Sequence, residues 1–169
     1  MIDFSISSET QMLLEMLRRF IAQELAPHEA EVEELQFVHA DIVQELRGKA
    51  RELGLFALGM PEEVGGGGLS VVDMCLCEEE FGQTKDALVR RAFGAIPMSL
   101  LNCVGDQRAK YLDRAVSGEI NVALAMTEPG AGSDAAGIKT QARRDGDDFV
   151  LNGSKHFISD ADVSDAFIV

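Results

Sequence analysis

The chain has 169 residues, of which 46% are hydrophobic and 26% charged, and its formal net charge is −14. Those proportions fit a globular chain of one ordinary domain, or one and a half small ones, and exclude a disordered or fibrous one. A surface this acidic repels phosphate backbones, which excludes nucleic acid as the natural partner, although backbone N–H groups in a tight loop can still hold a phosphorylated cofactor.

The first two-thirds of the chain reads as helices. Ser8 and Gln11 stand at capping-box spacing, and behind them Leu13, Leu14, Leu17, Phe20, Ile21 and Leu25 recur at three- and four-residue steps. This predicts an amphipathic helix that Pro27 kinks or ends. A second helix carries Ile42, Val43, Leu46, Ala50 and Leu53, with Gly54 as its stop. The loop Met60 to Val64 leads into Gly65 to Gly68, read as a flexible turn. Ser70 and Asp73 cap a third helix running to Phe81, with Gly82 behind it. Shorter helical segments follow at Ala87 to Phe93, Ile96 to Cys103 and Asp106 to Ser117, the last with Tyr111, Leu112, Ala115 and Val116 on one face.

After Gly118 the period changes. Val122 to Met126 has strand length, Lys139 to Arg144 alternates weakly, and Phe149-Val150-Leu151 precedes Asn152-Gly153, a hairpin signal. Ala166 to Val169 reads as one more strand. The expected architecture is therefore α+β, an all-helical domain over 1–119 followed by an antiparallel β-domain over 120–169. Strands that end on Phe167-Ile168-Val169 leave an open edge, so this β-domain is expected to be incomplete.

The remaining signals are mostly bland. No apolar run approaches the roughly 20 residues that cross a bilayer, and no signal-peptide pattern is seen at Met1. Three cysteines, Cys75, Cys77 and Cys103, point to a reducing, cytoplasmic setting, and Cys75-Leu76-Cys77 reads as core filling without metal-ligand spacing. His28, His39 and His156 are scattered, which gives no metal site. The four glycines lack P-loop lysine spacing. Gly130 to Ala135 formally matches a dinucleotide fingerprint, but Gly137 leaves no room for the helix it must open. By chemistry alone, Thr127 to Ser133 is a small-residue loop with two hydroxyls, readable as a plain structural loop or as an anion-binding concavity.

Order along the chain decides more. Met126-Thr127-Glu128-Pro129-Gly130-Ala131-Gly132-Ser133-Asp134 resembles the first signature of the acyl-CoA dehydrogenase family. Asp145-Gly146-Asp147 and Phe149 to Lys155 resemble the hairpin that follows it. Leu53-Gly54-Leu55 ahead of Met60 to Gly66 resembles the helical domain, and Tyr111-Leu112 ahead of Ser117-Gly118-Glu119 its exit. The resemblance covers essentially the whole chain.

It implies FAD as cofactor, an acyl-CoA substrate, a homotetramer when full length, and an electron-transfer flavoprotein or another acceptor as partner. It places Leu124, Met126, Thr127, Gly132 and Ser133 along the flavin, with Ser133 on the FAD pyrophosphate or the substrate's pantetheine arm. Phe157, Ile158 and Ser159 match the segment that packs on the ring, where the family usually has Trp-Ile-Thr, and Asp160 stands where Asn is common. The implied reaction removes the α-proton by a carboxylate while hydride leaves Cβ for the flavin. That carboxylate is expected in a C-terminal helical bundle beyond Val169, leaving Glu128 structural and this chain alone inactive. Acyl-CoA oxidases and related flavin monooxygenases share the motifs, and a non-catalytic assembly module could keep the fold.

Overall fold

A computed structural model of the chain describes residues 5–169. Helix α1, Ser8–Phe20, begins one residue earlier than its capping-box spacing suggests. Ser7 is the cap, extended at φ −62° and ψ 156°, and its hydroxyl accepts from the Thr10 N–H at 3.1 Å. Pro27 bends the chain without stopping it. A widened π turn, Ile21–Leu25, and a 3-10 turn, Ala26–His28, absorb the missing N–H before α2, Glu29–Leu35. Helix α3, Ala40–Glu52, ends at Gly54, whose φ of +69° only glycine adopts without strain. Helix α4, Val71–Phe81, has the expected cap, with Ser70 Oγ accepting from the Asp73 N–H at 3.2 Å. Helix α5 follows over Asp86–Phe93. Ile96 to Cys103 condenses to a 3-10 turn at Met98–Asn102, and the next segment holds a π turn, Arg108–Leu112, before α6, Asp113–Val116.

The apolar stripes of α1, α3, α4 and α5 meet in one core that contains Leu17, Leu25, Leu46, Leu88 and Cys77, all fully buried. Each buried leucine contributes about 1.5–3 kcal/mol. Phe93 closes this core, stacked on Phe81 at 4.8 Å and tilted against Phe20 at 5.2 Å. Cys77 fills space as expected, and burial pushes its thiol up to about 11, whereas Cys75 points out and is exposed. A second core, with Met60, Leu100, Leu112, Val116, Ile120 and Val122, carries the packing from the helices into the strands.

The glycine run is a packed turn, not a flexible one. The N–H groups of Gly66, Gly67 and Gly68 donate to the carbonyls of Pro61, Ala57 and Met60 at 3.0, 3.1 and 2.8 Å. A Cβ on Gly66 would stand 2.1 Å from the Met60 carbonyl oxygen, so close backbone approach is what demands glycine there.

The strands pair in two ways. β2, Gln141–Asp145, and β3, Asp148–Asn152, form the expected antiparallel hairpin. Its turn, however, is Gly146-Asp147, with Gly146 at φ +64°, the glycine-first pattern of a type II′ turn. Asn152-Gly153, expected as the turn, instead ends β3. Asn152 pairs with Gln141, and a Cβ on Gly153 would lie 2.2 Å from Thr140 Oγ1, so this glycine serves a close approach. β1, Val122–Leu124, pairs with β4, Ala166–Ile168, in parallel, contrary to an all-antiparallel sheet. The long connection between them, which includes the hairpin, allows a pairing that a tight turn could not.

Candidate functional site

Between α5, the loop after it and the end of β1 lies an open cleft of about 610 Å³. The sequence folds this way because Gly94, at φ +83° and packed under the Phe56 ring, turns the chain out of α5 and sends Ala95 to Met98 along the cleft rim. Of the eight residues singled out from the sequence, Leu124, Met126, Thr127, Phe157, Ile158 and Ser159 line this cleft together. Gly132 and Ser133 do not. They stand exposed on the loop beyond the Glu128–Ala131 bridge. The helical wall, which no motif had marked, is Phe81, Val89 and Phe93 with Ile96 and Met98.

Two segments 27 to 29 residues apart are laced together to build the strand-side wall. The His156 N–H donates to the Thr127 carbonyl at 2.9 Å, and Lys155 Nζ donates to the Met126 carbonyl and to Glu128 Oε1, each at 3.0 Å. Glu128 is buried and also accepts from the N–H groups of Lys139 at 2.7 Å and Thr140 at 2.9 Å. The Thr140 hydroxyl beside it, these backbone donors and Lys155 together outweigh burial and hold its carboxyl at about 2. The Thr140 oxygen itself is buried and makes no bond of regular geometry. Glu128 is thus an anchor for the loop that is ionised at neutral pH.

The second segment carries unusual backbone. Phe157 has φ +54° and Asp160 φ +62°, a region that Asp tolerates and Phe rarely enters. The Phe157 ring is 81% exposed and stacks on His156 at 3.7 Å. Asp160 is tied to α5. Its Oδ2 accepts from Arg90 Nε at 2.7 Å and Nη2 at 2.5 Å, and its Oδ1 from Arg91 Nη2 at 2.6 Å. Burial pushes the Asp160 carboxyl up, but the Arg90 hydrogen bond and the two guanidinium charges outweigh it and leave it below the ordinary carboxylate value.

The glycines of the Met126 to Asp134 loop differ from those of the Gly65 turn. A Cβ on Gly130 or Gly132 would meet nothing within 4 Å, and neither has a positive φ. The fold does not need glycine at these two positions, so the space in front of the loop backbone is open to a ligand.

The chain belongs to the acyl-CoA dehydrogenase family: the model of its N-terminal domain matches residues 7–119 and that of its middle domain residues 123–169. Among its relatives, 3-(aryl)acrylate reductase of Clostridium sporogenes is 36% identical over 96% of this chain and 43% of its own length. The (R)-benzylsuccinyl-CoA dehydrogenase of Thauera aromatica is 36% identical over 99% of this chain and 45% of its own. The crystal structure of a Bacillus anthracis acyl-CoA dehydrogenase complexed with FAD superposes with a TM-score of 0.81 at 35% identity, over all of this chain and 29% of that one. The chain spans less than half the length of these relatives.

Proposed function

We propose that this chain forms one wall of an FAD site in an enzyme that oxidises acyl-CoA thioesters to 2,3-enoyl-CoA. The observation that carries the reading is the cleft itself, whose lining brings Met126, Phe157 and Ile158 together with two hydroxyl residues, Thr127 and Ser159, and also includes the charged Glu78, Asp86 and Arg90. This donor set suits a flat heteroaromatic ring with one polar edge, and the relative crystallised with FAD has the same fold. Bound there, FAD would supply the acceptor for the hydride that leaves Cβ.

The chain's own residues then have separate tasks. Met126, Phe157 and Ile158 exclude water from the ring faces, Leu124 extends that apolar surface, and Thr127 and Ser159 orient the polar edge. Gly132 and Ser133, outside the cleft, serve the pyrophosphate or the pantetheine arm, where the open space before Gly130 and Gly132 admits a backbone approach. The α-proton requires a carboxylate whose pKa is raised by burial. Glu128, held at about 2, is far too weak a base for that step.

The reading extends to a homotetramer working in the cytoplasm and passing electrons to an electron-transfer flavoprotein. It is tested on the whole enzyme of which this chain forms one wall, by titrating FAD into its apoprotein and adding acyl-CoA under anaerobic conditions. Flavin binding followed by bleaching of its visible band supports it, and an apoprotein indifferent to FAD sinks it. Reoxidation by air in place of an electron-transfer flavoprotein would assign the oxidase alternative. A second reading reverses the direction of the same redox step, and is favoured by the similarity to a reductase of arylacrylates. Reduction of an aryl-substituted enoate by the pre-reduced protein would select it.

A further inference from the structure

Phe157, Ile158 and Ser159 enter the cleft on a segment with no strand pairing of its own among the described residues. Two of the residues around it, Phe157 and Asp160, hold left-handed backbone angles. An irregular segment keeps such a geometry only when its surroundings over-determine it. The constraint here comes from two sides. His156 fastens the front of the segment to Thr127, and Asp160 fastens its rear to helix α5 through both carboxylate oxygens.

We propose that Asp160, clamped by Arg90 and Arg91, is a positioning residue that sets the flavin-facing wall Phe157 to Ser159 against helix α5. The inference rests on the flavin reading of the cleft. Asp160 and Arg91 are absent from the cleft lining, while Arg90 borders it. Arg91 does not line the cleft, so its effect on how a bound flavin is seated passes through Asp160 and the segment it ends. The three side chains are largely shielded, at 15% exposure for Asp160, 30% for Arg90 and 12% for Arg91, so solvent competes weakly for their bonds. Arginine is the suitable partner because its planar fork fixes direction as well as charge. An amide at position 160 would lose the charge and turn N–H donors towards guanidinium donors, yet Asn tolerates the left-handed backbone as Asp does. D160N therefore keeps one acceptor oxygen, loses the charge and the other half of the clamp, and leaves the backbone preference in place.

The experiment compares the unaltered protein with D160N and R91Q. It reads FAD affinity, the visible circular dichroism of bound flavin, the flavin midpoint potential, and amide exchange across Phe157 to Ser159 in the apoprotein. Each variant should weaken FAD binding by roughly tenfold or more, alter the flavin dichroism and potential, and speed exchange in this segment, because small misplacements of a site wall are costly. R91Q alone suffices if D160N does not fold. Unchanged flavin spectrum, affinity and segment exchange in a folded variant overturn the positioning role while leaving the flavin reading intact. Failure of the unaltered protein to bind FAD overturns the flavin reading, and with it the proposal.

Discussion

At the scale of single residues, Glu128 links the stability of the fold to pH. Its carboxyl titrates at about 2 in the folded chain against an ordinary value of 4.5. A depressed acid stabilises the fold fully above its unfolded pKa and loses that contribution as pH falls towards the folded one. The loss attributable to Glu128 should therefore fall between about pH 4.5 and 2. E128Q keeps the shape and removes the charge. It should lower the thermal midpoint at neutral pH and flatten the decline in that acid window, which melting curves taken at a series of pH values would show. Profiles of equal slope in the two proteins would remove Glu128 from the account. Its place in a loop motif was visible in the sequence. Its partners were not: Lys139, Thr140 and Lys155 come 11, 12 and 27 positions later, and bonds between such positions leave no periodic trace. The same holds for Asp160, which reaches back 70 residues to Arg90.

Elements followed their local signals where local chemistry decided the outcome. Ser70 caps α4 and Gly54 ends α3, because a cap or a left-handed turn is settled within a few residues. The hairpin moved because two turn signals competed. Gly146-Asp147 lets Asp145 meet Asp148 and pairs five residues on each side, whereas a turn at Asn152-Gly153 would have left β2 without its partner. The parallel β1–β4 pairing and the helical wall of the cleft arise from long-range packing, which periodicity does not encode. Glycines divide on the same principle. G66A forces a methyl group onto the Met60 carbonyl and should cost about 1–3 kcal/mol in urea unfolding. G132A meets open space, so its stability should stay within about 0.5 kcal/mol of the parent while FAD affinity falls. Equal destabilisation by both would show that the two glycine loops are alike.

For the molecule as a whole, the question is what holds the helices and strands in one frame, since the cleft lies between them. Arg47 of α3 is the central fastening. Its guanidinium donates to the Arg91 carbonyl at 3.3 Å, the Gly118 carbonyl at 2.9 Å and Asn121 Oδ1 at 2.8 Å, and it lies 5.8 Å from the Phe56 ring centroid. Asn121 in turn donates its N–H to Asp165 Oδ2 at 2.8 Å, and its carbonyl receives the Asp165 N–H at 2.9 Å, at the threshold of β4. One side chain thereby joins the end of α5, the end of the helical part and the start of both strands. Burial, with the nearby charges of Arg91 and Arg51, pulls the guanidinium pKa down, so the fastening works against a desolvation cost that only its bonds offset. R47M keeps much of the stem's packing and strands three acceptors. It should cost about 2–4 kcal/mol, with R47K between it and the parent because a lysine reaches fewer acceptors. Amide exchange should quicken in β1 and β4 before it does in α1, since the strands lose their tie to the helical frame while the leucine core stays intact. If R47M matched R47K in stability, or if α1 and β1 loosened together, the joint between helices and strands would have to lie in the apolar contact of Val116, Ile120 and Val122 alone.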